Sequence, residues 1–435
     1  MPSDGAVEAN VVVAGGGPAG LQFARAVGRR SDRRVVVLEA NERLADNDKS
    51  TGGTFTDLVE GYDVPETVLM DSTSGVTFEA PGASETIPIP AYVLDFPAFL
   101  EFLGDDAESA GVDVRTGARV LAPIREDGRV VGVTYRRGGA ERDLRADVAV
   151  DATGPAGTLV SQIGLFDPGA GPLAVGKEYE VAGCHDLDAL LFRFDHDAAP
   201  GGYAWTFPAG DGVFKAGVCW YVDQHDARVG TGNRPTGDGD RPTEESDHPT
   251  GDGDRPIDEY VRDWIAGDDR WEDGAVRAVH AGKAAVTGAV RRRVTDGLVA
   301  VGDTVATINP VFGEGIRPGL ESAEMAADAV LDALAAGDPS RERLAAYEER
   351  WNAARGRHWR RQRLVGELLY EFGPDQQRRF VENVGRLSPP QWERFRRYEP
   401  TLRDLLALYP FSLQDARQVP KLLDSLREGA AARLR

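Results

Sequence analysis

Three short motifs and one aromatic strand hold the residue types in this chain that are best suited to chemistry. The first motif, Gly15-Gly16-Gly17-Pro18-Ala19-Gly20, closes the apolar run Asn10 to Ala14 and opens a helix-forming stretch. Glycine at 15 permits a tight turn, at 17 it lets the backbone approach a pyrophosphate, and at 20 it allows close helix packing, while the helix N-terminus adds partial positive charge. Glu39 ends the next apolar run, 19 residues beyond Gly20. A carboxylate there binds a ribose 2′-hydroxyl and repels a 2′-phosphate. The spacing predicts a dinucleotide site.

The second motif, Asp151-Ala152-Thr153-Gly154, ends another apolar strand. In the third, Ala300 to Leu320, Asp303 is read as ending a strand, with a carboxylate able to accept hydrogen bonds from a polyol chain. Asn309, Pro310 and the turn Gly313-Glu314-Gly315 then lead into a helix whose N-terminal amides suit an electron-rich ring oxygen. The second motif alone fits a plain strand-to-loop junction equally well. The ordered set, separated by about 130 and about 150 residues, is specific. Between the second and third motifs lies "GGYAWTFPAGDGVFKAGVCW", Gly201 to Trp220. On an alternating strand Tyr203, Trp205 and Phe207 share one face. That face is either core packing or a wall for a large apolar ligand. Rigid aromatics suit a ligand recognised only by burial, at roughly 25 cal/mol per Å².

The elements that position these residues open with a βαβ unit: "NVVVA" and "RRVVVLEA" are buried parallel strands around the glycine turn and its helix. A helix begins near Phe96, short strands follow to Gly154, and from about residue 160 alternating strands predict an antiparallel sheet. "PTGDGDRP" occurs at Pro235 and again at Pro249 within a Gly/Asp/Pro-rich insert, 226–256, expected to be disordered. A helix follows Gly315, and the chain beyond about 340 is helical in pattern.

With 435 residues and 41% hydrophobic content the chain supports two or three domains. Its net charge is −21, with lysine only at 49, 177, 215, 283 and 421, which excludes a general nucleic-acid role and fits a salt-loving source. Cys184 and Cys219 make no disulfide framework, and no apolar run approaches a membrane span, so a cytoplasmic protein is expected.

The ordered motifs resemble the FAD-binding domain of the p-hydroxybenzoate hydroxylase-like flavoprotein superfamily, over residues 10 to about 335. "YAWTFP" is similar to the aromatic signature of the geranylgeranyl reductase family within it: Tyr203, Trp205, Phe207 and Pro208 match. Three departures stand out. The family's later Gly-x-Gly is half kept as Gly217-Val218-Cys219, its Cys-Gly pair is replaced in "DKSTGGTF", and its arginine before the Phe96 helix is missing from "AYVLDFPAF". The resemblance implies an α/β fold: a Rossmann-type FAD-binding domain (8–160 and 285–337, with 55–95 open to joining the other sheet), an antiparallel-sheet substrate domain (161–284), and a C-terminal helical region (338–435). It implies FAD held by Gly15, Gly17, Pro18, Ala19, Gly20, Glu39, Ala40, Val120, Asp151, Gly154, Gly302, Asp303, Gly313, Gly315 and Ile316. Tyr203, Trp205 and Phe207 would contact substrate, and no metal site is expected.

The activity implied is reduction of geranylgeranyl double bonds in membrane lipids, with hydride from reduced flavin N5. The alternatives are an FAD monooxygenase, disfavoured because "DATGPAGTLVSQ" lacks the hydroxylases' arginine, and a redox-silent carotenoid-cyclase-like flavoprotein. No second GxGxxG is present, so electrons come from NAD(P)H or ferredoxin without a dedicated domain. Tyr203, Lys49 and Cys219 are candidate proton donors, none assigned; Cys219 reads better as a small buried hydrophobe and His280 as a structural residue. The basic, aromatic C-terminal helices are candidates for peripheral membrane contact, or for pairing with the chain's own acids.

Overall fold

A computed structural model of the chain describes residues 8–49, 51–183, 187–229, 255–267, 275–287 and 290–410. Ser50, Cys184, residues 230–254 of the duplicated insert, and 411–435 lie outside the described residues.

Strand Ala9–Ala14 is central to the first sheet because it is buried on both faces. Val11 and Val13 point into a core built with helices Pro18–Arg30, Phe96–Ser109 and Ile316–Ala335. Val12 and Ala14 point into the opposite core, under strands Ala118–Glu126 and Arg129–Arg137. Two buried faces explain why the strand is a continuous apolar run and does not alternate. It pairs in parallel with Val35–Leu38 on one side and Ala140–Asp151 on the other; Leu298–Ala300 pairs in parallel beyond Asp151. The chain therefore leaves the central strand in both directions, and the carboxyl ends there form a topological switch point.

The second sheet has seven strands, in the order Val276–Ala285, Leu173–Ala182, Val213–Tyr221, Gly202–Pro208, Ala189–Arg193, Gly75–Ala80 and Ala83–Ile87. Residues 75–87 thus lie in this sheet. Its pairings are antiparallel except that of Ala189–Arg193 with Gly75–Ala80, which is parallel because those strands meet through a long connection. A three-stranded sheet of Gly53–Phe55, Ala91–Leu94 and Leu69–Thr73 completes the strands.

The seven-stranded sheet shows different faces to different partners. Ala204, Ala216, Val218 and Trp220 pack on helix Ile257–Ala266. The alternate residues Tyr203, Trp205 and Phe207 join a cluster with helices Arg357–Glu371 and Pro374–Val384. Residues 226–229, expected in the disordered insert, belong instead to helix Val222–Val229. Arg228 ties that helix down by donating to the Tyr370 carbonyl at 2.7 Å. No described helix is long and apolar enough to cross a membrane. In the C-terminal region Arg355, Arg363, Arg378 and Arg394 pair with Glu321, Glu367, Glu382 and Asp404. These pairs match the reading in which the arginines serve the chain's own acids.

Candidate active site

One register row brings the three motifs together. Ala14 lies opposite Leu38 and Asp151, and Asp151 lies opposite Ala300, so the loops after all four strands emerge at one edge. Within the first loop each glycine has its own reason. Gly15 has φ +107°, and a Cβ there would run into the Ala152 carbonyl. A Cβ on Gly20 would collide with the Gly15 carbonyl. Gly17 has nothing within 4 Å of such a Cβ, so the outer two glycines close the turn and the middle one leaves an open cradle. A pyrophosphate fits such a cradle, bare of side chain and at the start of a 13-residue helix. Pro18 opens that helix, and Ala19 sits where a Cβ on Gly302 would come within 2.7 Å. Glu39 accepts from the Gly16 and Asn41 amides at 2.7 and 2.8 Å, which holds its carboxylate at the cradle's rim beside Ala40. The Glu39 carbonyl accepts from the Ala118 amide, placing Val120 in the core beneath the same corner.

Asp151 requires correction as a cofactor contact. Its side chain is fully buried and accepts from the amides of Thr153, Leu159 and Val160 and from the Thr153 hydroxyl, at 2.7–3.1 Å. Four donors fill the acceptor positions of a carboxylate, so Asp151 builds the turn and leaves nothing for a ligand. Gly154, at φ +62° with nothing near a notional Cβ, is the bare position of this motif.

In the third motif the strand stops at Ala300, so Asp303 lies in the short helical turn Gly302–Val305 and does not end the strand. Asp303 is half-buried with the Thr307 hydroxyl at 3.4 Å, and burial pushes its carboxyl up to about 6. A Cβ on Gly315 would approach Asp303 Oδ2 to 3.5 Å, which places the carboxylate against the start of helix Ile316–Ala335. Ile316, its first residue, packs against the core.

The loop between them is held by a set of donors that the sequence motifs did not indicate. The Trp359 indole donates to the carbonyls of Thr307 and Ile308 at 2.9 and 3.0 Å. The Tyr221 hydroxyl donates to the Pro310 carbonyl, Tyr370 to Val311, and Tyr203 to Phe312. The Asn309 amide donates to Gln362 at 2.6 Å, while its oxygen accepts from the Val311 and Phe312 amides. The carbonyls are thereby turned toward the second sheet and the C-terminal helices. Trp359, Gln362 and Tyr370 come from one helix about 50 residues downstream, and their only trace in the sequence is its aromatic content.

Tyr203, Trp205 and Phe207 are 7%, 7% and 5% exposed and form one wall. Phe192 extends it, with ring centroids 5.2 Å from Phe207, 5.7 Å from Tyr203 and 6.2 Å from Phe312 of the clamped loop. The Trp205 indole lies across Gly217, where a Cβ would collide with it, and near Gly176. This contact explains the half of Gly-x-Gly that is kept. Phe207 reaches the other side, where a Cβ on Gly53 would lie 2.6 Å from its ring. The wall therefore runs from Phe312 to the loop before Gly53.

The candidate proton donors separate clearly. Lys49 is exposed. The Tyr203 hydroxyl donates to Phe312, and burial pushes its phenol well above the usual range. Burial likewise pushes the Cys219 thiol up to about 12, the behaviour of a small buried group. His280 lies half-buried between Glu180, at 3.3 Å, and Asp48, at 3.8 Å. Where an arginine was expected before helix Phe96–Ser109, Asp95 caps it by accepting from the Ala98 amide at 3.0 Å.

A nucleotide cradle at a switch point, coupled through one clamped loop to an aromatic-faced sheet, defines a flavoprotein oxidoreductase. The tryptophan halogenase family model matches residues 47–168. A digeranylgeranylglycerophospholipid reductase from Haloferax volcanii is 33% identical over 399 residues, 88% of this chain and 90% of the relative. A second reductase of that name, from Methanopyrus kandleri, is 27% identical over 88% of this chain and 96% of its own. Among solved structures, a geranylgeranyl bacteriochlorophyll reductase-like protein from Thermoplasma acidophilum superposes with TM-score 0.79 at 20% identity, covering 97% of this chain and 99% of that one. A flavin-dependent brominase follows with TM-score 0.69 at 16% identity, covering 98% and 99%. The chain belongs to the digeranylgeranylglycerophospholipid reductase family.

Proposed function

We propose that the protein is an FAD-dependent reductase of geranylgeranyl double bonds in membrane lipids. The observation that carries this reading is the wall of Tyr203, Trp205, Phe207 and Phe192, joined ring to ring with Phe312 of the loop that leads into Gly313 and Gly315. FAD, when bound, supplies hydride at N5 of its reduced ring. Gly15, Gly17, Gly20 and the start of helix Pro18–Arg30 hold the pyrophosphate, Glu39 the adenosine ribose, Asp303 the ribityl chain, and Gly313, Gly315 and Ile316 the ring.

An unactivated alkene has no carbonyl to polarise, so placement against the ring does most of the work. The aromatic wall supplies it: an isoprenoid chain has no hydrogen-bonding group, and flat, rigid side chains fix its path while excluding water. The clamp on residues 307–312 keeps that path at a constant distance from the ring site. An external donor, a nicotinamide or a ferredoxin, returns two electrons to the flavin.

Mass spectrometry of a geranylgeranyl lipid incubated with the FAD-loaded protein and a chemical reductant tests this reading. Product heavier by two hydrogens for each double bond reduced is expected. Unchanged lipid, with FAD bound and reduced, would refute it.

A further inference from the structure

The aromatic wall ends in a cluster of buried charges that the packing does not require. Glu178 is 3% exposed and Lys215 1%, on neighbouring strands and on the same face as Trp205. Lys215 Nζ lies 3.9 Å from Glu178 Oε1 and 3.5 Å from Glu180 Oε1. Glu178 Oε2 accepts from the Trp205 indole at 2.8 Å, and the Thr51 hydroxyl also bonds this carboxyl. Its other oxygen, Oε1, is buried without a hydrogen-bond partner. A buried ion pair with a long separation and an unfilled oxygen is weak support for a fold, because desolvation offsets its attraction.

From Lys215 the contacts continue outward. Glu180 Oε1 is 3.3 Å from His280 Nε2, and His280 Nδ1 is 3.8 Å from Asp48 Oδ2. Side-chain exposure along this path is 4% at Glu178, 2% at Lys215, 18% at Glu180, 13% at His280 and 44% at Asp48. A row of acid–base groups therefore links an enclosed carboxyl to solvent. Its inner end lies at the proposed site: Thr51 belongs to the loop that runs from the Glu39 corner to Gly53, where the Phe207 ring rests.

We infer that Glu178 is the proton reservoir for the reduction, delivering through the Thr51 hydroxyl and recharged from solvent through His280, Glu180 and Lys215. The inference rests on the reductase reading above. In the step, reduced FAD gives a hydride to one alkene carbon and the Thr51 hydroxyl gives a proton to the other. The π bond is replaced by two C–H bonds, and Thr51 takes the proton of Glu178. The resulting carboxylate is held by Lys215 and the Trp205 N–H until a proton returns along the row, and the external two-electron donor restores the flavin. Burial pushes the Glu178 carboxyl up, toward the protonated form. The charged groups around it are Lys215, His280, Glu180 and Asp48; Trp205 and Thr51 are neutral.

The test uses full-length, FAD-loaded Glu178→Gln beside wild type, photoreduced without oxygen and mixed with a geranylgeranyl lipid in detergent. Lipid and FAD affinities should be unchanged, while flavin reoxidation slows about 100-fold or more, the range for loss of a general acid. The wild-type rate should fall as pH rises and empties the reservoir; the variant should lose that fall, and Glu178→Asp should restore part of the rate. Redox-difference infrared spectra without lipid should show a protonated-carboxyl band in wild type that the Gln variant lacks. If Glu178→Gln does not fold, His280→Ala reads the outer end, with slowed turnover that added imidazole restores. A Glu178→Gln enzyme with the wild-type rate and pH profile overturns the relay; in its absence, so does His280→Ala with wild-type turnover. Wild type that no prenyl lipid reoxidises overturns the underlying reading instead.

Discussion

At Asp303 a carboxyl pushed up to about 6 meets the proposed ribityl position, and the consequence for pH has a definite sign. The folded apo-protein holds this proton more tightly than the unfolded chain, so Asp303 contributes stability at acid pH that is lost as pH rises from about 4 to about 6. Hydroxyl donors of a polyol need the ionised form, so FAD affinity should rise over the same interval. Equilibrium titration of apo-protein with FAD at pH 5 to 7 should show this rise in wild type and a weaker, flat response in Asp303→Asn. Trp205→Phe should keep the fold and FAD yet lose prenyl reduction severalfold, since it removes the indole donor to Glu178 and shortens the wall; product yield measures it. Trp205→Ala should also destabilise by about 3–5 kcal/mol, read by denaturant titration. Gly15, Gly17, Gly20 and Glu39 were legible in the sequence because local backbone geometry dictates them. Asp151 was misread because a carboxylate capping its own turn has the same sequence signature as one facing a ligand.

Two elements do the positioning, the hairpin of Gly202–Pro208 with Val213–Tyr221 and the helix Arg357–Glu371. In the hairpin, Trp205 lies opposite Gly217, and the indole needs the space a side chain would take. Gly217→Val should therefore tilt or expel the ring, destabilise the fold by about 1–3 kcal/mol, and remove activity with it; thermal melting and product yield read both. In the helix, Trp359 and Tyr370 donate to loop carbonyls and Gln362 pairs with Asn309. Tyr370→Phe removes one buried donor, at a cost of about 1 kcal/mol in stability. It should weaken FAD binding several-fold through the loosened loop, which a flavin fluorescence titration checks. The hairpin was readable from alternation and its glycine turn. The clamp was not, because its donors and acceptors lie some 50 residues apart and only the tertiary fold pairs them.

For the whole molecule, the βαβ opening, the second sheet and the helical C-terminus followed from periodicity, whereas the parallel pairing of Ala189–Arg193 with Gly75–Ala80 did not, since nothing local selects a partner strand. The charge of −21 bears on stability as a whole. Self-repulsion among carboxylates weakens when the screening length falls to about 3 Å at molar salt, so the melting temperature should climb steadily with KCl; equal melting with and without salt would remove the halophilic reading. The central claim is that the two sheets and the clamped loop form one machine for reducing prenyl chains on a flavin. Anaerobic reoxidation of the reduced, FAD-loaded protein tests this most directly. Rapid return of oxidised-flavin absorbance on adding a geranylgeranyl lipid, with none from the fully saturated lipid, is the result expected. Reoxidation only by oxygen with an aromatic co-substrate, or by neither, would contradict the account.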